Sequence, residues 1–344
     1  MNKLGEIMLR EISEIPEMLV RIASKFDKSV EAQELMTKNQ FSSVVFLARG
    51  TSDNAAHYFK YLIETKLGMP CGLASPSAAT MYSHPFRYTN TLVIAISQSG
   101  QSKDLLAFAE AAKKGGGYIL GITNDEASPL AQLSHLHIPI LAGPEIAVPA
   151  TKSYVGQLFI SLLLVSAWCK EKIELSGIFQ AANGAVSNDE NIKLFAKKID
   201  IKKPIYVLGR GFSYPNAKEF ALKLQETCLI PVQGMSSSDF LHGPIASLDS
   251  DSQVIFLAPH HLPKSSFGEA PDRVRAVTGQ VFWIGSKEFA VENDVVLDTP
   301  YLDSEIKACV SDAVSFQKIT HHIAVSNNLN PDSPRGLSKV TITR

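Results

Sequence analysis

Glu219, Lys223 and Glu226 recur at i, i+4 and i+7, a spacing that puts all three side chains on one face of a helix. Sixteen residues beyond Glu226, Leu241-His242-Gly243-Pro244 sets a histidine in a loop. A histidine near a carboxylate and a lysine can transfer protons near neutral pH. The same three charges also suit a solvated helix face laced with i,i+4 pairs. Position favours chemistry, because the helix follows Arg210-Gly211-Phe212-Ser213, a turn at a strand end, where open α/β sheets bind ligands.

A second stretch offers binding chemistry. In Ile94-Ala95-Ile96-Ser97-Gln98-Ser99-Gly100-Gln101-Ser102 an apolar run stops in a hydroxyl-rich turn and a helix begins. Free backbone N–H groups and the positive end of a helix dipole suit a phosphate there, with Ser97, Ser99 and Ser102 adding donors. Gly100 lets the backbone approach closely. The stretch lacks the lysine of a nucleotide P-loop and the three-glycine dinucleotide spacing, which disfavours a nucleotide. Its residues also suit a plain polar turn capped by Ser102.

The elements that must position these residues alternate. Residues 6–26 form a mostly apolar helical stripe (Ile7, Leu9, Ile12, Ile15, Met18, Leu19, Ile22), bent or restarted near Pro16. Strands fit 43–48, 91–96, 118–122 and 137–141, and helices fit 53–66, 103–114 and 152–169. The order returns about 161 residues later, with Val45–Gly50 matching Tyr206–Gly211, Leu92–Ile96 matching Gln253–Leu257 and Tyr118–Thr123 matching Val281–Ser286. The helix at 152–169 then matches one at 303–325. Two α/β domains of one fold are expected, each a doubly wound parallel sheet flanked by helices. The copies differ usefully: where the first has Ser97-Gln98-Ser99-Gly100, the second has Ala258-Pro259-His260-His261, which offers no comparable anion cradle.

Bulk properties narrow the function. Of 344 residues, 33 are Lys or Arg and 34 Asp or Glu, so there is no electrostatic case for nucleic acid or an anionic membrane surface. A small ligand is the expectation. The chain start is acidic and amphipathic without the apolar core of a signal peptide, and four scattered cysteines form no zinc or disulfide pattern, which suits a cytoplasmic protein. The apolar stretch from Val155 to Trp168 is too short to span a bilayer and reads as a buried helix. His135 and His137 lack a matching carboxylate or cysteine cluster, and His260-His261 and His321-His322 are adjacent pairs whose side chains point apart. No metal and no cofactor is expected.

Several stretches, in one order across nearly the whole chain, resemble the sugar isomerase (SIS) domain family, and within it the isomerase half of glucosamine-6-phosphate synthase. They are Met8-Leu9-Arg10-Glu11-Ile12 before Pro16, Gly50-Thr51-Ser52, Ser97–Gly100, Glu145–Val148 with Thr151-Lys152, Glu219–Glu226, Leu241–Pro244, and Pro334–Lys339. The resemblance implies two tandem SIS domains: a helical arm at 1–28, a phosphate-binding domain at 29–185, a catalytic domain at 190–329, and a tail at 330–344 carrying an active-site lysine. It gives Ser52, Ser97, Gln98, Ser99 and Ser102 to the sugar phosphate, with Thr51, Val148, Ala150 and Glu219 also in the substrate site. Glu226 becomes the base that moves a proton between C1 and C2, His242 with Lys223 helps open the ring, and Lys339 contacts the open-chain sugar. A carboxylate close to a cation and shielded from water suits that task. The resemblance further implies a homodimer in which the partner supplies the histidine.

The synthase carries an N-terminal glutaminase domain whose processed chain begins with cysteine, whereas residue 2 here is Asn and the isomerase-like part starts almost at once. The expectation is therefore the reverse reaction, a glucosamine-6-phosphate deaminase yielding fructose 6-phosphate and ammonia. Pro149-Ala150 stands where the synthase has Ala-Ser, and Gln101-Ser102 replaces Glu-Thr, so the phosphate hydroxyl survives at Ser102 while one near C2 is lost at Ala150. Galactosamine-6-phosphate deaminase and fructosamine-6-phosphate deglycase share the same needs. A non-catalytic sugar-phosphate sensor is the reading of another class, but a sensor has no need of Glu226, His242 and Lys339 together.

Overall fold

The computed structural model describes residues 4–27, 29–82 and 84–339. They fold as two compact units, each made of more than one chain segment. The first comprises Glu17–Glu145, Lys152–Glu174 and the chain from Ser338; the second comprises the chain up to Pro16, Ile146–Thr151 and Leu175–Leu337.

The first unit is built on five parallel strands, β1 (Ser43–Leu47), β2 (Cys71–Leu73), β3 (Thr91–Ser97), β4 (Tyr118–Thr123) and β5 (Leu136–Pro139), in the order β2-β1-β3-β4-β5. Central strand β3 is buried at every position and reads as an unbroken apolar run, as a strand covered on both faces must. Leu47, Val93, Ala95 and Ile119 from the sheet pack with Leu105, Phe108, Ala109 and Ala112 of the helix Lys103–Lys114. Helix Lys152–Trp168 is buried on nearly all sides, which explains why its sequence shows no polar face. Among the described residues no helix is long and apolar enough to cross a membrane.

The second unit repeats the plan with β6 (Ile205–Gly209), β7 (Val232–Ser236), β8 (Gln253–Ala258), β9 (Val281–Gly285) and β10 (Val295–Asp298), all parallel, in the order β10-β9-β8-β6-β7. Counted from its own first strand this is the same order as in the first unit. Gly50 and Gly211, 161 positions apart in the sequence, both adopt left-handed φ (53° and 57°) at the turn from first strand to first helix. The duplication therefore extends to backbone conformation. Trp283 and Phe256 stack at the centre of this core, 4.5 Å between centroids.

Several boundaries differ from the sequence reading. The helix expected from residue 53 begins at Gly50, because the glycine itself makes the turn, and the strand expected at 137–141 lies at Leu136–Pro139. The long N-terminal stripe divides into helices Glu6–Ser13 and Ile15–Phe26, restarting beside Pro16 as anticipated. Asp332 caps the first of these, its carboxylate accepting from the Ile7 and Met8 amides at 3.2 and 2.7 Å.

One core residue opposes its surroundings. Asp312, within helix Glu305–Ser326, is buried with no partner for Oδ1, and burial pushes its carboxyl up to about 7. A carboxyl raised in the folded state stabilises fully below its unfolded value and loses that contribution as pH rises through the folded one, here between about 4 and 7. Asp312→Asn keeps the shape without the charge. It should raise stability at pH 8 by up to roughly 4 kcal/mol, and have little effect at pH 4, in paired denaturant titrations.

Candidate functional site

In the first unit, β1 and β3 are neighbours whose connections leave to opposite sides, so their carboxyl ends mark the switch point of the sheet. The loops after both strands carry the expected phosphate residues. Ser97 ends β3 and is buried, its hydroxyl accepting from the Gly100 amide at 3.1 Å. Gln98 and Ser99 are half-buried, and the Gln98 carbonyl accepts from Asn124 N at 3.0 Å. Gly100 has φ of 64°, and a Cβ there would lie 2.3 Å from the Ser128 hydroxyl, so both conformation and space demand glycine. Ser102 occupies the N-cap position of helix Lys103–Lys114, yet its side chain makes no capping hydrogen bond. The plain capped turn is thus not what this serine forms.

From the β1 side, Thr51 and Ser52 lie in the first turn of helix Gly50–Lys66. Ser52 is buried and accepts a hydrogen bond from the Gln157 amide at 3.1 Å. Arg49, just before that helix, reaches the buried Asp104 carboxylate at 3.0 Å and so ties the two loops together. Neither Arg49 nor Asp104 was foreseen, since a pair 55 positions apart leaves no local pattern. Ser99→Ala should raise KM for a sugar phosphate about 10- to 100-fold with little change in kcat, the value of one hydrogen bond to a charged group. An unchanged KM in steady-state assays would place the phosphate elsewhere.

Lys339 belongs to this unit as well. Its ammonium lies 3.1 Å from Glu145 Oε2, and the Glu145 side chain is fully buried. The family resemblance includes the stretch Glu145–Val148 but implies no role for Glu145.

The second unit holds the charged helix, Tyr214–Cys228, which leaves β6 through a short 3-10 turn, Gly211–Ser213. Lys223 is fully buried, 3.4 Å from Glu219 Oε1 and in direct contact with Glu226 Oε2. Burial works against the ammonium, but the charges of Glu226 and Glu219 and their hydrogen bonds outweigh it, and the Lys223 pKa rises. The solvated-face reading fails for this helix: Glu219 is also fully buried, and only Glu226 keeps partial exposure, 22%. A partly exposed carboxylate at the edge of a buried ion-paired cluster can serve in proton transfer.

His242 follows the short helix Ser237–Leu241 and is exposed. Among the described residues no hydrogen bond or ion pair joins its ring to Lys223 or Glu226. Val148 and Ala150 are half-buried in the segment Ile146–Thr151 of the same unit. That segment is held from two directions: the Val148 amide donates to the Asp332 carbonyl at 3.0 Å, and buried Glu11 accepts from the Ile146 amide and, at 3.3 Å, from Ala147.

Six further histidines have structural partners. His135 Nδ1 accepts from the Ile119 amide at 2.8 Å and His137 Nε2 meets the Thr123 hydroxyl at 2.8 Å. His260 and His261 bond separately to the Thr299 carbonyl and the Tyr301 hydroxyl, and His321 and His322 to the Gly5 carbonyl and Asp189. Among the described residues no three His, Cys, Asp or Glu side chains converge as metal ligands.

Two parallel sheets of one order, with hydroxyl-rich loops at a switch point in one, define a duplicated doubly wound α/β architecture. The SIS domain family matches residues 39–167 and 198–301, more than half of the chain, and the chain belongs to that family. The glutamine–fructose-6-phosphate aminotransferase (isomerizing) of Thermococcus kodakarensis is 30% identical over 96% of this chain, which spans 57% of that relative's length. Among solved structures, the C-terminal domain of glucosamine-fructose-6-phosphate aminotransferase from Francisella tularensis superposes with a TM-score of 0.84, at 27% identity, covering 95% of this chain and 98% of that one. The glucosamine-6-phosphate deaminase of Thermotoga maritima shares the fold, with a TM-score of 0.76 at 22% identity, covering 98% and 100% of the two chains.

Proposed function

We propose that this chain is an aminosugar-phosphate isomerase acting as a deaminase, converting glucosamine 6-phosphate and water to fructose 6-phosphate and ammonia. The observation that carries the reading is the cluster on Tyr214–Cys228, where Lys223 is fully buried between Glu219 and Glu226 and only Glu226 keeps exposure. A carboxylate in contact with a buried ammonium and still open to a ligand can remove a carbon-bound proton.

In this reaction Ser52, Ser97, Gln98, Ser99 and Ser102 hold the phosphate, with Thr51, Val148, Ala150 and Glu219 completing the substrate contacts. His242, supplied by a second copy of the chain, opens the sugar ring with Lys223. Glu226 takes the proton from C2 and a proton returns to C1 as Lys339 contacts the open chain. The product of that shift is an imine at C2, which water hydrolyses to the ketone, releasing ammonia. No redox partner is needed, because the C1–C2 shift moves a proton and an electron pair within one molecule.

The aminotransferase relatives support a second reading, in which the same residues run the isomerisation toward glucosamine 6-phosphate. Ammonia and fructose 6-phosphate release should be measured with glucosamine 6-phosphate, galactosamine 6-phosphate and fructoselysine 6-phosphate, alongside the reverse reaction from fructose 6-phosphate and ammonia. Rapid release from glucosamine 6-phosphate alone is the expected result. Release from one of the other two would reassign the substrate, and silence on all with sugar-phosphate binding intact would replace catalysis by sensing.

A further inference from the structure

We propose that Glu145 is the positioning residue for Lys339, fixing the ammonium of the tail lysine where it meets the open-chain sugar. The inference rests on the role proposed above for Lys339 and adds a residue that the sequence reading left without one. Glu145 precedes helix Lys152–Trp168, and both of its oxygens are engaged. Oε1 accepts from the Ser153 amide at 3.0 Å; Oε2 accepts from the Ser153 hydroxyl at 2.8 Å and from Lys339 Nζ at 3.1 Å.

The two bonds to Ser153 set the carboxylate at the amino end of a 17-residue helix, where the helix dipole favours a negative charge. Nearby, Lys152 is fully buried and donates to the Pro144 carbonyl at 2.8 Å, which fixes the chain on the near side of Glu145. The carboxylate is therefore held by groups that do not depend on the tail. Lys339 is different: its side chain keeps 24% exposure while Glu145 keeps none, so the lysine is the member that can reach a ligand. A lysine carries four rotatable bonds and a strongly hydrated charge, and fixing it costs entropy that a preset carboxylate offsets. The geometry is that of a lysine delivered to a task by a buried acid, not of an exposed surface pair, which would be worth little.

Two measurements on the full chain test this. Competitive trace acetylation, read by mass spectrometry, compares Lys339 with Lys264, whose side chain is 73% exposed. Glu145→Gln should raise the relative labelling of Lys339 about 10-fold, the lower value of one charge-assisted hydrogen bond. In steady-state assays Glu145→Gln should lower kcat/KM about 10- to 100-fold, yet change it less than about threefold when added to Lys339→Met, because both substitutions remove one coupled function. Unchanged labelling of Lys339, or a full additional loss in the Lys339→Met background, would overturn the proposal. Should Glu145→Gln fail to fold, Glu145→Asp retains the charge one carbon short, and an intermediate labelling of Lys339 is then required. The labelling arm needs no turnover, so a chain inactive on every aminosugar phosphate would sink the deaminase reading while still deciding whether Glu145 holds Lys339.

Discussion

Glu226→Gln should lower kcat roughly 10²- to 10⁴-fold, the usual worth of a positioned general base, while leaving sugar-phosphate affinity nearly unchanged. The substitution keeps the size of the side chain and removes the charge that accepts the C2 proton. Binding should survive because the proposed phosphate contacts lie on Ser52 and the Ser97–Ser102 loop, not on helix Tyr214–Cys228. Lys223 would keep Glu219 as a partner at 3.4 Å, so the fold should hold. The measurement is turnover together with equilibrium binding of a non-reacting sugar phosphate. Native turnover in this variant would refute the assignment of Glu226 as base.

Lys223→Met should be the most damaging single change to stability, costing about 3–5 kcal/mol, because it leaves the fully buried Glu219 carboxylate beside an apolar chain. Its pH signature follows from the raised Lys223 pKa. A cation whose folded pKa is raised contributes fully below its unfolded value, near 10.5, and loses that contribution as pH climbs through the folded one. The contribution of the Lys223 ammonium should thus be intact at neutral pH and be lost only in strong alkali. Adding Glu219→Met should recover part of the loss, since an apolar pair of similar volume removes the buried charge that Lys223 balances. A Lys223→Met protein as stable as the native chain at pH 7 would mean that the buried pair is not the anchor of this helix. Activity should fall in the same variant, as Glu226 loses the cation that it contacts.

What the sequence disclosed depended on whether the signal was periodic. Lys103–Lys114 was legible from apolar spacing, Lys152–Trp168 from its long apolar stretch, and β3, β4, β8 and β9 from short buried runs. The 161-residue recurrence foretold the shared strand order of the two sheets. The strands that escaped notice were β2, β7 and β10, which end or border their sheets. Cys71-Gly72-Leu73 is too short to show alternation, Val232–Ser236 is polar and contains glycine, and Val295–Asp298 is four residues long. Edge positions need fewer apolar residues, so little periodic pattern was there to find.

The site divides the same way. The Glu219, Lys223 and Glu226 spacing revealed a common face but not its burial, and burial is what separates a base from a surface ion pair. The serine loop was visible as composition, whereas Arg49–Asp104 and Glu145–Lys339 join residues 55 and 194 positions apart. Contacts of that span are set by the tertiary fold, and a single sequence carries no local trace of them.

The discontinuous make-up of each unit bears on the order of folding. The amide of Met8 waits for Asp332, 324 positions later, and the carbonyl of Gly5 for His321, 316 positions later. Closing loops of that length carries an entropic cost before any contact repays it, so these end-to-end bonds should form late and slowly. On such a landscape, the two sheets condense first from nearer segments and the terminal helix is stitched on last. Its amides should then be among the first to exchange with solvent deuterium when the native chain breathes, well ahead of those in β3 and β8.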